Sequence, residues 1–116
     1  MIEMTVRLPD NLAQRLRPVT PWLPAVLELS LVGCRTPAAQ TAAEIIAFLS
    51  TGPSPDAVAG YAVSDRAQQR LRRLLALNEA GLLSLEEQTE LDEIEQIEHI
   101  MILLKTQARE QLAGKN

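Results

Sequence analysis

The spacing of apolar side chains changes after the first few residues of the chain. In residues 3–8, Met4, Val6 and Leu8 alternate with polar side chains, which is the period-two pattern of a half-buried strand. A lone strand is not stable, because its backbone N–H and C=O groups have no partners at either edge. The pattern therefore predicts one N-terminal β-strand that pairs with the same strand of a second chain.

Downstream of this segment, apolar residues recur every three or four positions, which is typical of amphipathic helices. Proline, glycine and capping side chains mark where each helix begins and ends. The predicted helices cover residues 11–17, 23–31, 37–49, 65–79 and 85–112, and the predicted capping residues are Asp10, Thr20, Thr36, Ser64 and Ser84. A proline-rich break separates the first two helices, and a linker over residues 52–63 allows one helical turn at residues 55–60.

The last two predicted helices form an antiparallel hairpin, because the link around Gly81 is short. Ser84 and Glu87 have the spacing of a capping box at the start of the final helix. The inner apolar row of that helix has a mean spacing of 3.5 residues and consists of Leu91, Ile94, Ile97, Met101, Leu104, Ala108 and Leu112. Residues 100–104 are apolar on every side, so we expect this part of the helix to be covered by its own chain, by a second copy or by a partner.

Together these patterns predict a mainly α protein with one N-terminal β-strand and a C-terminal antiparallel helical hairpin. Residues 1–35 contain the strand and the first two helices, residues 36–63 a helix and the linker, and residues 64–116 the hairpin. Aromatic side chains make up only 3% of the 116 residues, so the core is built from aliphatic side chains. This composition favours helices over a β-sandwich.

Charge is unevenly distributed along the chain. The net charge is −4, but residues 1–35 and 36–75 carry +1 each, whereas residues 76–116 carry −6. This division indicates either two surfaces for different partners or an acidic helix that is simply solvated. The single Cys34 excludes an intramolecular disulfide, and the longest apolar run is far short of the roughly 20 residues of a membrane span. We therefore expect a cytoplasmic protein that does not enter a membrane.

The first third of the chain has a family likeness. Residues 4–9 read Met-Thr-Val-Arg-Leu-Pro, followed by Asp-Asn-Leu at 10–12, Arg15 and Leu16, a short break and the apolar helix at 23–31. In this order they resemble the ribbon-helix-helix family of DNA-binding proteins, which includes many antitoxins of bacterial toxin–antitoxin pairs. The resemblance implies that two chains pair their strands and that the resulting ribbon enters the major groove of DNA. Thr5 and Arg7 would then contact base edges, and Thr20 would lie near a phosphate.

From residue 48 onward, and most recognisably over residues 64–109, the chain resembles small bacterial proteins with a proline break and an acidic helical hairpin, a likeness that implies a partner protein but no particular chemistry. In the acidic last helix, Glu90 and Glu93 lie near the apolar Ile97 and Met101, and these four residues are the predicted surface for a toxin or other protein partner. The alternative is a solubilising face over a core or dimer contact.

The predicted function is therefore an antitoxin-type repressor that binds its own operator DNA as a homodimer and neutralises a partner toxin. The alternative is a helical protein-interaction module without DNA binding.

No residue pattern predicts an enzyme, a metal site or a cofactor. The chain has one histidine, His99, near Glu95 and Glu98, whereas a metal site needs a larger cluster of ligands. Cys34 has no base placed beside it, which favours a small buried apolar residue over a nucleophile. Four arginines on the fourth helix could contact phosphate, and we favour the alternative that they pair with glutamates of the last helix; they are Arg66, Arg70, Arg72 and Arg73.

Overall fold

The computed structural model describes residues 1–114, and every regular element in this range is a helix. The helices are α1 (Asp10–Leu16), a 3₁₀ helix (Arg17–Trp22), α2 (Leu23–Leu31), α3 (Ala38–Leu49), α4 (Pro55–Ala59), α5 (Asp65–Glu79) and α6 (Leu85–Ala113). The last two residues of the predicted hairpin segment, 115 and 116, lie outside the described residues. Within the described range, no helix is both long and apolar enough to cross a membrane.

The predicted N-terminal β-strand is wrong, and the fold is all-α. Residues 1–9, which we call the arm, form neither helix nor strand, and no strand occurs elsewhere in residues 1–114. A strand exists only where its backbone groups meet another extended backbone, and the described chain provides none. The alternating side chains remain in solvent, with Ile2 90%, Met4 85% and Val6 66% exposed.

The predicted limits of the C-terminal helices are confirmed. α5 begins at Asp65 after a Ser64 cap whose side chain accepts from the N–H of Ala67. At the start of α6, Ser84 Oγ accepts from the N–H of Glu87 at 3.1 Å, and Glu87 Oε1 accepts from the N–H of Ser84 at 3.0 Å. These local contacts involve residues three apart, which is why the sequence alone identifies them.

The predicted break before α2 is instead the 3₁₀ helix, and the predicted caps Asp10 and Thr20 do not cap. α1 follows Pro9 without a side-chain cap, and Asp10 is its first residue. Thr20 Oγ1 donates to the carbonyl of Leu16 at 3.1 Å. Proline has a backbone φ suited to a helical turn, so the prolines of this segment are compatible with a short 3₁₀ helix in place of an irregular break.

One core is shared by most of the helices from Trp22 onward. α6 lies at its centre, with α2, α3, α4 and α5 packed around it. Trp22 is almost fully buried, and its indole Nε1 donates to the carbonyl of Pro53 at 2.9 Å. The three segments predicted from the sequence therefore contribute to a shared core, whose members include Trp22, Leu29, Ile45, Leu49, Val58, Leu104 and Ala108.

Residues 100–104 are not buried on every side within a single chain. Ile100, Met101 and Leu104 are buried, whereas Ile102 and Leu103 are exposed. The neighbouring helices surround α6 only partly, so one side of it faces solvent.

Candidate interaction surfaces

The three predicted DNA-binding residues do not form a built site. Thr5 and Arg7 lie on the arm, where no regular element holds either side chain in place. Thr20 lies in the 3₁₀ helix beyond α1, and its hydroxyl is engaged with the carbonyl of Leu16. All three residues are exposed, but the fold does not fix their positions relative to one another.

Glu90, a predicted partner-binding residue, is paired inside the molecule. It is only 3% exposed, and its two carboxylate oxygens accept from Nε and Nη2 of Arg70, both at 2.8 Å. Such a two-point contact is the strong form of an arginine–carboxylate pair. The expected pairing between α5 arginines and α6 glutamates is confirmed for this pair, which joins the two helices of the hairpin.

Glu93 is also directed inward. It is 8% exposed and accepts from the N–H of Arg35 at 3.0 Å, from the N–H of Thr36 at 3.3 Å and from the hydroxyl of Thr36 at 2.6 Å. Thr36 Oγ1 in turn accepts from the N–H of Ala38, the first residue of α3. Burial acts to raise the pKa of Glu93, but the hydrogen bonds from Arg35 and Thr36 outweigh it and hold the pKa below its ordinary value.

The other two predicted partner-binding residues, Ile97 and Met101, belong to the core. A partner that bound through all four residues would have to break the contacts of Glu90 and Glu93. Ile97 and Met101 nevertheless reach the surface at one place, because they line the groove described next.

A groove of about 410 Å³ lies between α3, α5, α6 and residues 61–63. Its apolar lining consists of Ile45, Tyr61, Ala62, Val63, Ala67, Leu71, Leu75, Ile94, Ile97 and Met101. The polar Thr41 and Gln68 and the charged Arg72, Glu98 and Lys105 also line it. Leu75 of α5 is 44% exposed here.

The walls of the groove are fixed by specific contacts. Glu44 of α3 accepts from the N–H of Ser64 at 3.2 Å and from its hydroxyl at 3.1 Å, which joins the start of α5 to α3. The rings of Phe48 and Tyr61 lie 4.3 Å apart between centroids. Lys105 Nζ donates to the carbonyl of Tyr61 at 2.6 Å. The groove is therefore preformed, as binding sites for apolar ligands usually are.

A second, shallow depression lies between α2 and α6. It is lined by Leu31 and Ile100 together with the acidic Glu28, Asp92 and Glu95, and by His99. In residues 1–114, no group of three or more His, Cys, Asp or Glu side chains is arranged to hold a metal ion.

Cys34 lies half-buried beside Glu93. Burial, together with the negative charge of Glu93, raises the pKa of the Cys34 thiol. The reactive thiolate form is therefore disfavoured at this position.

Comparison of the chain with protein-family models, curated proteins and solved structures gave no match. The functional argument therefore rests on the contacts of this chain. The resemblance of the first third to ribbon-helix-helix proteins stays a prediction.

Proposed function

We propose that this chain is a helical protein-interaction module that binds an extended apolar segment of protein in the groove between α3, α5 and α6. The observation that carries this proposal is the groove itself, which is preformed, apolar and open to solvent. The glutamates expected to bind a partner are engaged inside the fold, so the geometry favours this apolar surface over the acidic face of α6.

The lining of the groove determines the chemistry of its ligand. Leu71, Leu75 and Ile94 offer aliphatic surface, and covering that surface is favourable because it removes apolar area from water. A protein segment with apolar side chains spaced along one face fits such a surface, as in other grooves between helices. Nucleotides and other strongly charged ligands do not, because most of the lining offers no polar partner.

The charged residues of the groove give its ligand a direction. Lys105 and Glu98 lie seven residues apart on α6, which is about 10 Å along a helix. A ligand with charges of opposite sign at a similar separation is favoured in one orientation and opposed in the other.

A peptide-display selection on the full-length protein tests the proposal. We expect enrichment of peptides with alternating apolar residues, and about tenfold weaker binding to a Leu75→Glu variant, because the new carboxylate loses its water when the ligand binds. Ala76→Glu is the matched control, since Ala76 is the adjacent exposed residue and does not line the groove.

Both variants should keep the helical circular dichroism of the wild type, because Leu75 and Ala76 are exposed. Selected peptides that bind wild type and Leu75→Glu equally would place their binding elsewhere and refute the proposal. Failure to select any peptide would also count against it.

The antitoxin-type repressor is a second candidate because the arm and the helices that follow it present three exposed arginines, Arg7, Arg15 and Arg17. Exposed arginines could contact DNA phosphates, although the arm that carries Arg7 is not a strand. Fluorescence anisotropy of a duplex from upstream of the gene, at several salt concentrations, tests this candidate. Specific binding that weakens steeply with salt and with Arg7→Ala supports it, and binding no tighter than to a scrambled duplex refutes it.

A further inference from the structure

The arm is an apolar segment without a partner in its own chain. Ile2, Met4, Val6 and Leu8 are all exposed. In an extended conformation these even-numbered residues point to one side, and Glu3, Thr5 and Arg7 point to the other. Four consecutive apolar positions on one face, all in water, form an unusual surface for a small protein and indicate a binding site.

The groove has the matching properties. Its floor on α6 runs from Ile94 to Lys105, which is about 16 Å of helix. The apolar face of an extended arm, from Ile2 to Leu8, spans about 20 Å. The arm is thus an apolar segment that contacts nothing in its own chain, and the groove is an apolar site of similar length that nothing in the chain fills.

We propose that the groove receives the arm of a second copy of this chain, so that two molecules exchange arms and form a homodimer. This inference rests on the proposed function, since it names the occupant of the same groove. It differs from strand pairing, because each arm contacts helices of the other molecule and not the other arm.

The area available is sufficient for a stable dimer. Nine unfolded residues expose on the order of 1,400 Å². Burial of the apolar half of each arm removes about 700 Å², and the two arms of a dimer together about 1,400 Å², which lies within the roughly 1,200–2,000 Å² of total area that a standard interface buries.

Sedimentation velocity of the full-length protein over a range of concentrations tests the proposal. We expect the wild type to form dimers. Val6→Asp on the apolar face of the arm and Leu75→Glu in the groove should each raise the dimer dissociation constant at least about tenfold. Their matched controls, Thr5→Asp and Ala76→Glu, introduce the same charge on the outward faces and should change it by less than about twofold.

Mixing the two variants identifies the contact. Val6→Asp keeps an intact groove and Leu75→Glu keeps an intact arm. Their mixture should therefore form heterodimers through this one arm and this one groove, whereas neither variant by itself should form homodimers. A wild type that stays monomeric, or a Leu75→Glu variant that dimerises while Val6→Asp does not, would overturn the proposal. The first result would mean that the arm has no site on a second copy, and the second that arms pair with each other.

A fluorescent peptide of residues 1–9 separates this inference from the proposed function. It should bind the Val6→Asp chain, whose groove is vacated, and should not bind Leu75→Glu. If display-selected peptides bind the groove but this peptide does not, the arm-exchanged dimer is refuted and the proposed function stands. If no peptide binds the groove, both fail.

Discussion

At the scale of single residues, the most informative feature is that the acidic helix turns two carboxylates inward. Glu90 is paired with Arg70, and Glu93 holds the backbone just before α3. Each contact compensates the burial of a charge, which would otherwise be costly. Exposed glutamates on the same helix, such as Glu95, have the same residue type but a different role. The negative charge of α6 is therefore partly structural.

The lowered pKa of Glu93 predicts a pH dependence of folding. Because the pKa is below its ordinary value of 4.5 in the folded protein, ionised Glu93 stabilises the fold above that pH, and the contribution is lost as the pH falls through the lower folded value. Glu93→Gln should lower the free energy of unfolding at pH 7 by about 1–3 kcal/mol, since a neutral amide serves these donors poorly. Urea denaturation between pH 7 and 3 measures both effects.

The Gln variant should lose less stability on acidification than the wild type does. Glu95→Gln, at an exposed position of the same helix, is the control and should resemble the wild type throughout. Parallel pH curves for wild type and Glu93→Gln would show that the carboxylate of Glu93 does not contribute in this way.

At the scale of elements, the 3₁₀ helix is positioned by a close approach to the turn after α3. Gly52 in this turn has φ +69°, and a methyl group placed on it would lie 2.6 Å from Cβ of Pro18. Trp22 of the same 3₁₀ helix donates to the carbonyl of the next residue, Pro53. Because Gly52 has no side chain, the backbone of this turn can lie against the ring of Pro18, more than thirty residues earlier in the chain.

Two glycines with the same backbone conformation separate local strain from this close approach. Gly81, at the end of α5, has φ +71° and open space around it. Gly81→Ala should cost only the strain of a left-handed backbone, about 1–2 kcal/mol. Gly52→Ala should cost about 1–3 kcal/mol more, because Pro18 must also move.

Chemical denaturation followed by circular dichroism measures the difference between the two variants. Equal losses at Gly52 and Gly81 would mean that the 3₁₀ helix does not rest against the turn as the structure has it.

At the scale of the whole molecule, the chain is less compact than its length suggests. The radius of gyration is 16.2 Å, compared with about 13 Å for a globular domain of this length. The arm lies outside the core, and the hairpin ends in exposed leucines such as Leu82 and Leu85. The core around α6 provides the stability, and the remaining surface is available for contacts between molecules.

Deletion of residues 2–9 should leave the fold intact. In dilute protein, below the concentration at which copies associate, we expect a change in the free energy of unfolding of less than about 0.5 kcal/mol, because every residue of the arm is exposed. Urea denaturation followed by the fluorescence of Trp22, the single tryptophan, provides the measurement. A loss of several kcal/mol would show that the arm packs on its own chain.

The sequence alone predicts the helices well, because their signals are local. The limits of α2, α3, α5 and α6 agree with the predicted ones to within about one residue. Capping side chains and helix-ending glycines act within a few residues, and the apolar repeat of α6 identifies the face that enters the core. The pairing of Arg70 with Glu90 also follows, once a short antiparallel hairpin is expected.

Only the tertiary structure decided the features that depend on distant segments. The hydrogen bonds of Glu93 span 57 and 58 residues, and no local pattern marks them. The groove exists because α3, α5 and α6 meet without closing over Leu75, and no pattern in the sequence marks this gap between helices. The arm has the alternation of a strand, but a strand also needs a partner backbone, and residues 1–114 of one chain do not supply it. Local free energies thus determine where helices begin and end, and the packing of distant helices determines which surfaces remain open.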